Sequence, residues 1–228
     1  MLIAENISRR YMRKTEEANY FYAVSPVSLR LESGKLTVLM GRSGSGKTTL
    51  LHMLSGLLRP TEGRVLLEET DLYALEDAKL SRLRNARFAV IPQGRSAVET
   101  LSVLENILLP GMLYGDGKPN ADAEKKARQL MAELGIEGLA EARPAELSGG
   151  ELRRMAIIRT LTHRADFVFA DEPTGDLDDE NTERVLNLLR KTADEGAGVL
   201  LVTHESEALS RADEVWRMDA GKITAVDS

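Results

Sequence analysis

The sequence predicts an α/β fold: a mostly parallel sheet covered by helices, with an N-terminal antiparallel β subdomain and an inserted α-helical subdomain. Three observations carry that expectation. An apolar run at 36–40 passes through the glycine-rich octad Gly41-Arg42-Ser43-Gly44-Ser45-Gly46-Lys47-Thr48 into a helical pattern at 49–54, giving strand, loop and helix in succession. Short apolar runs at 88–91, 166–172 and 198–203 read as further buried strands. Between 94 and 147 such runs lapse and only helices and turns are legible. The chain, 1–228, reads as one domain, with 1–93 and 148–228 as the α/β core and N-terminal β subdomain and 94–147 as the helical insertion.

The octad fits G-x-x-x-x-G-K-[ST] at every fixed position, which identifies the core as that of a P-loop NTPase. Its glycines allow the backbone to curl with several N–H groups pointing inward, where phosphate oxygens would sit. The Lys47 ammonium reaches terminal phosphates, the Thr48 hydroxyl can ligate Mg²⁺, and the helix beginning at Thr49 turns its positive dipole end toward the anion.

Composition narrows the classes. With 228 residues, 43% hydrophobic and 29% charged, the chain can bury one sizeable core, and zero cysteines rule out disulfides, a thiolate metal site and a cysteine nucleophile. No run approaches the about 20 apolar residues of a membrane helix. The N-terminus lacks the pattern of a secretion signal. A net charge of −6 gives no general attraction for nucleic acid or anionic lipid, so any membrane role is expected to pass through a protein partner.

In chain order, residues 2–8 and 24–31 read as two β segments separated by a polar stretch that contains Tyr11 and the cluster Tyr20-Phe21-Tyr22. Aromatics are only 4% of the sequence, and four of them just ahead of the octad suggest an adenine-stacking surface, with Tyr11 the choice and Tyr22 second. After the octad and its helix, 58–63 is a turn, 64–67 a strand, 77–85 a polar helix and 88–91 a buried strand stopped by Pro92. Helices follow at 101–109 and 122–134, the second amphipathic through Ala123, Ala127, Leu130 and Leu134, with the glycine- and proline-bearing 110–119 between them. A helix at 179–195 with Asp178 or Asp179 as N-cap, a strand at 198–203 and a hairpin around 219–222 complete the chain.

Chemistry concentrates at strand ends, where ligands gather in open α/β sheets. Asp171 closes an apolar strand downstream of the octad, the place from which a carboxylate meets Mg²⁺ beside the Thr48 hydroxyl. Glu172 follows at once and is suited to polarise a water as general base. Gln93 and His204 stand at two other strand ends with side chains fit for a polar contact to that water or to the γ-phosphate. Leu147-Ser148-Gly149-Gly150-Glu151 leads into a helix, leaving backbone N–H groups open at an N-terminus; a second phosphate site in one chain suggests that two molecules share each nucleotide.

On these residues the chain resembles the nucleotide-binding subunit of an ATP-binding cassette (ABC) transporter. Gly41 to Thr48 is similar to that family's Walker A loop, Gln93 to its Q-loop, Leu147 to Glu151 to its signature and Phe167 to Asp171 to its Walker B strand. Glu172 matches the catalytic glutamate, Gly175-Asp176-Leu177-Asp178 the D-loop and His204 the switch histidine. Glu151 departs from the usual Gln, which bears on helix capping. Within the family, Ile91-Pro92-Gln93, Leu104-Glu105-Asn106-Ile107-Leu108-Leu109-Pro110 and Asp171 to Asp178 are similar to the lipoprotein-release, macrolide-export and antimicrobial-peptide-resistance branch.

The resemblance implies ATP and Mg²⁺ as cofactors. It implies nucleotide contacts from Tyr11, Gly41, Ser43, Gly44, Ser45, Gly46, Lys47, Thr48 and Thr49, and, in a head-to-tail arrangement, from Ser148, Gly149, Gly150 and Asp178. Thr48, Gln93 and Asp171 would hold the metal, and Glu172, His204 and Gln93 would carry catalysis. Partners implied are an integral membrane permease and a second cassette, identical or not, with no direct nucleic acid. The location implied is cytoplasmic, peripheral on the inner face of the membrane through the permease. The work implied is export or extraction of a lipid, lipoprotein, peptide or drug.

The alternative is a soluble ABC-type mechanical ATPase acting on nucleic acid or cell-division machinery. Such proteins usually carry a long coiled-coil insertion or two cassettes in one chain, and this sequence has neither. Arg153, Arg154, Arg159 and Arg164 read as a solvated or phosphate-near helix face rather than a nucleic-acid surface. A small-molecule kinase would leave 147–151 and His204 without a role.

Overall fold

Two sheets share the hydrophobic interior. The computed structural model describes residues 1–12, 20–94, 96–114 and 121–226. Strands β1 (Leu2–Met12), β2 (Tyr20–Leu31), β4 (Glu62–Leu67) and the short β5 (Thr70–Asp71) form an antiparallel sheet in the order β2-β1-β4-β5. Strands β3 (Leu36–Gly41), β6 (Phe88–Ile91), β7 (Phe167–Asp171), β8 (Gly198–Val202), β9 (Glu214–Asp219) and β10 (Lys222–Val226) form the second, in the order β10-β9-β3-β8-β7-β6. Every pairing in this second sheet is parallel except the β9–β10 hairpin.

Both faces of the parallel sheet are buried, which is why its strands are continuous apolar runs instead of alternating ones. Side chains still alternate between faces. Leu39, Phe167, Phe169, Leu200 and Val202 join the core shared with the antiparallel sheet and helix α1 (Lys47–Leu54). Leu36, Val38, Val168, Ala170, Val199 and Leu201 join the opposite core. That core is closed by α3 (Val103–Tyr114), α4 (Ala121–Glu133), α5 (Gly149–Leu161) and α6 (Asp179–Asp194). Helix α2 (Asp77–Arg87) is polar and buries only Leu80, so it lies on the surface and serves as the crossover into β6. Burial of each large apolar side chain contributes about 1.5–3 kcal/mol, and Phe167 and Phe169, fully buried and packed edge-on against Phe88, pin the central strands.

Three expectations change. Strand β1 runs on to Met12 and β2 begins at Tyr20, so Tyr11 and the 20–22 cluster belong to a paired ribbon, with Tyr11 opposite Phe21; residues 13–19 of the polar stretch lie outside the described residues. Alternating aromatic contacts across the ribbon outweigh its polar composition. Helix α3 continues through Pro110 and Gly111 to Tyr114. One missing N–H is tolerated because Val103, Leu104, Ile107 and Leu108 anchor the helix in the core; residues 115–119 of the separating stretch lie outside the described residues. Arg153, read as part of a solvated face, is 2% exposed. Its place three and four residues before Ala156 and Ile157 turns it to the inward side of α5.

Candidate functional site

The C-terminal ends of β3, β6, β7 and β8 converge on the octad. The loop is rigid for reasons visible in its backbone. Gly46 has φ +108°, and a Cβ there would lie 2.1 Å from the Ala23 carbonyl oxygen, so no side chain fits. Gly221 in the β9–β10 turn donates its N–H to the Ser45 carbonyl at 2.9 Å, and Ser25 donates to the Gly221 carbonyl at 2.8 Å. The loop is thereby bolted to both sheets. Lys47, 6% exposed, donates to the carbonyls of Gly41 at 2.7 Å and Arg42 at 3.0 Å, folding its ammonium over the loop.

Above the loop lies a cleft of about 580 Å³. Ser43, Gly44, Gly46, Lys47, Thr48 and Thr49 form its floor, Tyr11, Phe21 and Tyr22 one wall, and Gln93 and Glu172 its far end. The Tyr11 ring stands 5.9 Å from that of Phe21, and the Arg9 guanidinium lies 4.9 Å from the Tyr11 centroid. Size alone does not select this cleft. A larger cavity of about 790 Å³ lies at the other end of β7 and β8, lined by Asp166, Ala197 and charged residues of α4. It has no glycine cradle.

At the end of β7, Asp171 is 2% exposed and its Oδ2 accepts from the Thr48 hydroxyl at 2.8 Å. Burial pushes its carboxyl above the ordinary value of 3.8, against the opposing pull of that hydrogen bond, and the Glu172 carboxylate next to it pushes the same way. Among the described residues no group of three or more His, Cys, Asp and Glu gathers as a self-sufficient metal site. The Thr48 and Asp171 pair is instead a partial set of hard oxygen donors facing a phosphate cradle, the donor chemistry that suits Mg²⁺. Gln93 reaches this end of the cleft as well.

Glu172 adopts φ +45°, a left-handed conformation that costs a non-glycine residue roughly 1–2 kcal/mol. The strain is held by its N–H, which donates to Val202 at 2.8 Å. Its carboxylate faces two other strand ends: Oε2 lies 3.4 Å from Gln93 Nε2 and Oε1 lies 3.8 Å from His204 Nδ1. Both are loose contacts that leave the carboxylate open to a further partner. His204 is 66% exposed. Its turn is fixed by neighbours that carry no obvious sequence signal, since Glu205 accepts from the Thr174 hydroxyl at 2.7 Å and donates its N–H to Thr203 Oγ1 at 3.1 Å.

The segment at 148–151 lies elsewhere. Ser148 caps α5 in a capping box: Glu151 Oε2 accepts from the Ser148 N–H at 2.7 Å and from its hydroxyl at 2.6 Å. These bonds hold the Glu151 carboxyl below the usual range. The carboxylate standing where Gln is usual therefore completes the cap. Asp178 likewise caps α6 through the Asn181 N–H at 2.8 Å. Ser148, Gly149, Gly150 and Asp178 do not line the cleft of their own chain.

Comparison with known proteins bears on this geometry. Residues 24–175 match the ABC transporter family. The chain is 38% identical over 197 residues to the lipoprotein-releasing system ATP-binding protein LolD of Aquifex aeolicus, covering 86% of this chain and 87% of that one. It is 34% identical to LolD of Syntrophotalea carbinolica, covering 98% and 97% of the two chains. The fold superposes with a TM-score of 0.89, at 29% identity and over the full length of both chains, on an ATP-binding cassette solved as a post-hydrolysis dimer bound to ADP and Pi.

Proposed function

This chain belongs to the ABC transporter family and is its ATP-hydrolysing subunit, and from that premise we propose that the cleft above the octad is one half of a shared ATP site driving a separate membrane permease. One observation carries the reading. The Thr48 hydroxyl and Asp171 carboxylate meet at 2.8 Å beside the phosphate cradle, while Glu172, the next residue, is faced by Gln93 and His204. A metal donor pair and an open base stand on consecutive residues of one strand end.

In this reading Lys47 leaves the Gly41 and Arg42 carbonyls for the terminal phosphates, and the N–H groups at Gly44 to Thr49 hold the remaining oxygens. Mg²⁺ would be held by Thr48 and Asp171, with Gln93 close by, and when bound supplies neutralisation of phosphate charge. Glu172 takes the proton of a water as that water attacks the γ-phosphate; the bridging P–O bond breaks and ADP and inorganic phosphate leave. Gln93 and His204 keep the water and the γ-phosphate in line. Tyr11 stacks on the adenine from the ribbon wall.

Ser148, Gly149 and Gly150, with Asp178 close by, complete the site of a second cassette arranged head to tail, as the dimeric relative suggests. Residues 94–147 act as a helical subdomain, and the surface from Gln93 to Leu109 receives the permease. The LolD relatives favour a lipid-anchored protein as the cargo extracted, with this chain held at the inner face of the membrane through its permease. Among the described residues no helix is long and apolar enough to cross a membrane.

The test is Glu172→Gln. We expect ATP affinity within about twofold of wild type, phosphate release reduced by about 10²–10⁴ as for loss of a general base, and an ATP-dependent dimer trapped on size exclusion. Turnover close to wild type in that variant would remove Glu172 from the mechanism.

A further inference from the structure

Arg153 is buried against the backbone of Gln93 and Glu172 and takes no part in the chemistry described above. Its guanidinium touches the carbonyls of six residues. On one side, Nη1 donates to Pro92, to Gln93 at 3.0 Å and, more distantly, to Gly94 at 3.5 Å. On the other, Nη2 donates to Asp171 at 3.0 Å and Glu172 at 2.6 Å, and Nε donates to Pro173 at 2.9 Å. The first three carbonyls belong to the turn that follows β6, the second three to the last residue of β7 and the turn that follows it. A planar fork with donors fixed in direction can span two such turns; a single ammonium could not reach both sets at once.

We propose that Arg153 is a positioning residue for hydrolysis: it ties the turn carrying Gln93 to the turn carrying Glu172 and so sets where the Glu172 carboxylate stands. Glu172 is not a glycine yet holds a left-handed backbone conformation, and it is gripped on both flanks, its N–H by Val202 and its carbonyl by Arg153 and, at 3.2 Å, by the Gly175 N–H. Without Arg153 the carbonyl is left with the longer bond from Gly175, and the peptide relaxes more readily toward an ordinary conformation, which would swing the side chain out of line. The same guanidinium makes the two turns move together. A displacement of the segment at Gln93 is thus passed to Glu172 through backbone contacts, on the helix α5 that also presents Ser148 to the neighbouring cassette.

This inference rests on the reading of Glu172 as the base, so the experiment carries a control for each. Wild type, Arg153→Gln, Arg153→Lys and Glu172→Gln are compared by thermal midpoint, by monomer affinity for a fluorescent ATP analogue with Mg²⁺, and by kcat and KM of phosphate release well below the midpoint. For Arg153→Gln the expected result is a kcat at least fivefold lower with analogue affinity within twofold of wild type, and Arg153→Lys, which keeps the charge but not the fork, should fall between. A role in stability alone would lower the midpoint and leave kcat per folded molecule within fivefold, and that overturns the proposal. So does a loss of analogue affinity in step with kcat. If Arg153→Gln does not fold, Arg153→Lys decides: a kcat reduced at least threefold at unchanged affinity supports the proposal, and a smaller reduction overturns it. If Glu172→Gln itself turns over like wild type, the assignment of the base has failed, which is distinct from a dead Glu172→Gln beside a fully active Arg153→Gln.

Discussion

Replacing Asp171 by Asn separates what the carboxylate does for the fold from what it does for the nucleotide. The side chains are isosteric, and the Asn carbonyl can still accept from Thr48, so the 2.8 Å bond survives without its charge. Losing charge assistance costs about 1 kcal/mol, whereas relieving an ionised group that is 2% exposed returns about 1–3 kcal/mol. The balance favours the variant by about 1 kcal/mol, or roughly 2–4 °C in thermal midpoint for a chain of this size. The sign follows from the raised carboxyl. A folded pKa above 3.8 means that Asp171 favours the fold fully below that value and loses this contribution as pH rises through the folded pKa, leaving the ionised form a liability at neutral pH. The advantage of Asn should therefore shrink as pH falls from 7 toward 4. Nucleotide reverses the ranking. At a hundredfold excess over Kd, Mg²⁺ and ATP stabilise wild type by about 2.7 kcal/mol, or roughly 5–11 °C, and a tenfold loss of affinity in the variant removes about 1.4 kcal/mol of that, or roughly 3–6 °C. The assay is a thermal scan with ATP in Mg²⁺ and with ATP in EDTA, at several pH values. A nucleotide-free midpoint that drops for Asp171→Asn, or a Mg²⁺-dependent shift as large as that of wild type, would refute the reasoning.

The other predictions test separate surfaces. Gly46→Ala places a Cβ 2.1 Å from the Ala23 carbonyl in a backbone region disfavoured for alanine, so it should cost at least about 1–3 kcal/mol and abolish binding of the fluorescent analogue, read by thermal scan and titration. Ser148→Arg should leave monomer affinity within about twofold and eliminate the ATP-dependent dimer of the Glu172→Gln background, since Ser148 lies outside the cleft of its own chain; a dimer persisting on size exclusion counts against the shared site. Purification from membranes should bring down a multi-span permease, and a photo-crosslinker placed at Val98, which is exposed, should capture it, whereas one at Glu195 should not.

Local patterns carried much of this architecture. The octad announced its own strand and helix because Gly46 can be nothing else, and the buried strands 88–91, 167–171 and 198–202 were visible because burial on both faces leaves no polar position within them before the terminal Asp171. The aromatic ribbon was harder. Tyr11 and Phe21 meet only across a pairing set by strand register, and a polar composition argued against strands there. Pro110 hid the last turn of α3 because tertiary packing, which the sequence does not display locally, outweighed a lost hydrogen bond. Arg153 was the costliest misreading. Its acceptors are backbone carbonyls from segments about 20 and 60 positions away, and carbonyls leave no residue-type signature. The only available hint was a charge placed on the helical face of Ala156 and Ile157.

If the site is shared as proposed, the internal satisfaction of the separate chain gives a reason for nucleotide to supply the attraction between cassettes. Lys47 is folded onto its own loop, Ser148 is occupied by Glu151, and Asp178 is spent on the α6 cap. Two copies approaching without ligand would find these three groups already partnered, and each carries a net charge of −6, so closure alone brings repulsion. In the proposed shared site, bound ATP would change that balance by presenting phosphate oxygens to the N-terminal end of α5, where the helix dipole favours an anion and Ser148 caps with Glu151. The Glu151 carboxylate would then have to share Ser148 with an anion. Closure would accordingly be a competition between a cap that is complete without ligand and a phosphate that needs the same hydroxyl.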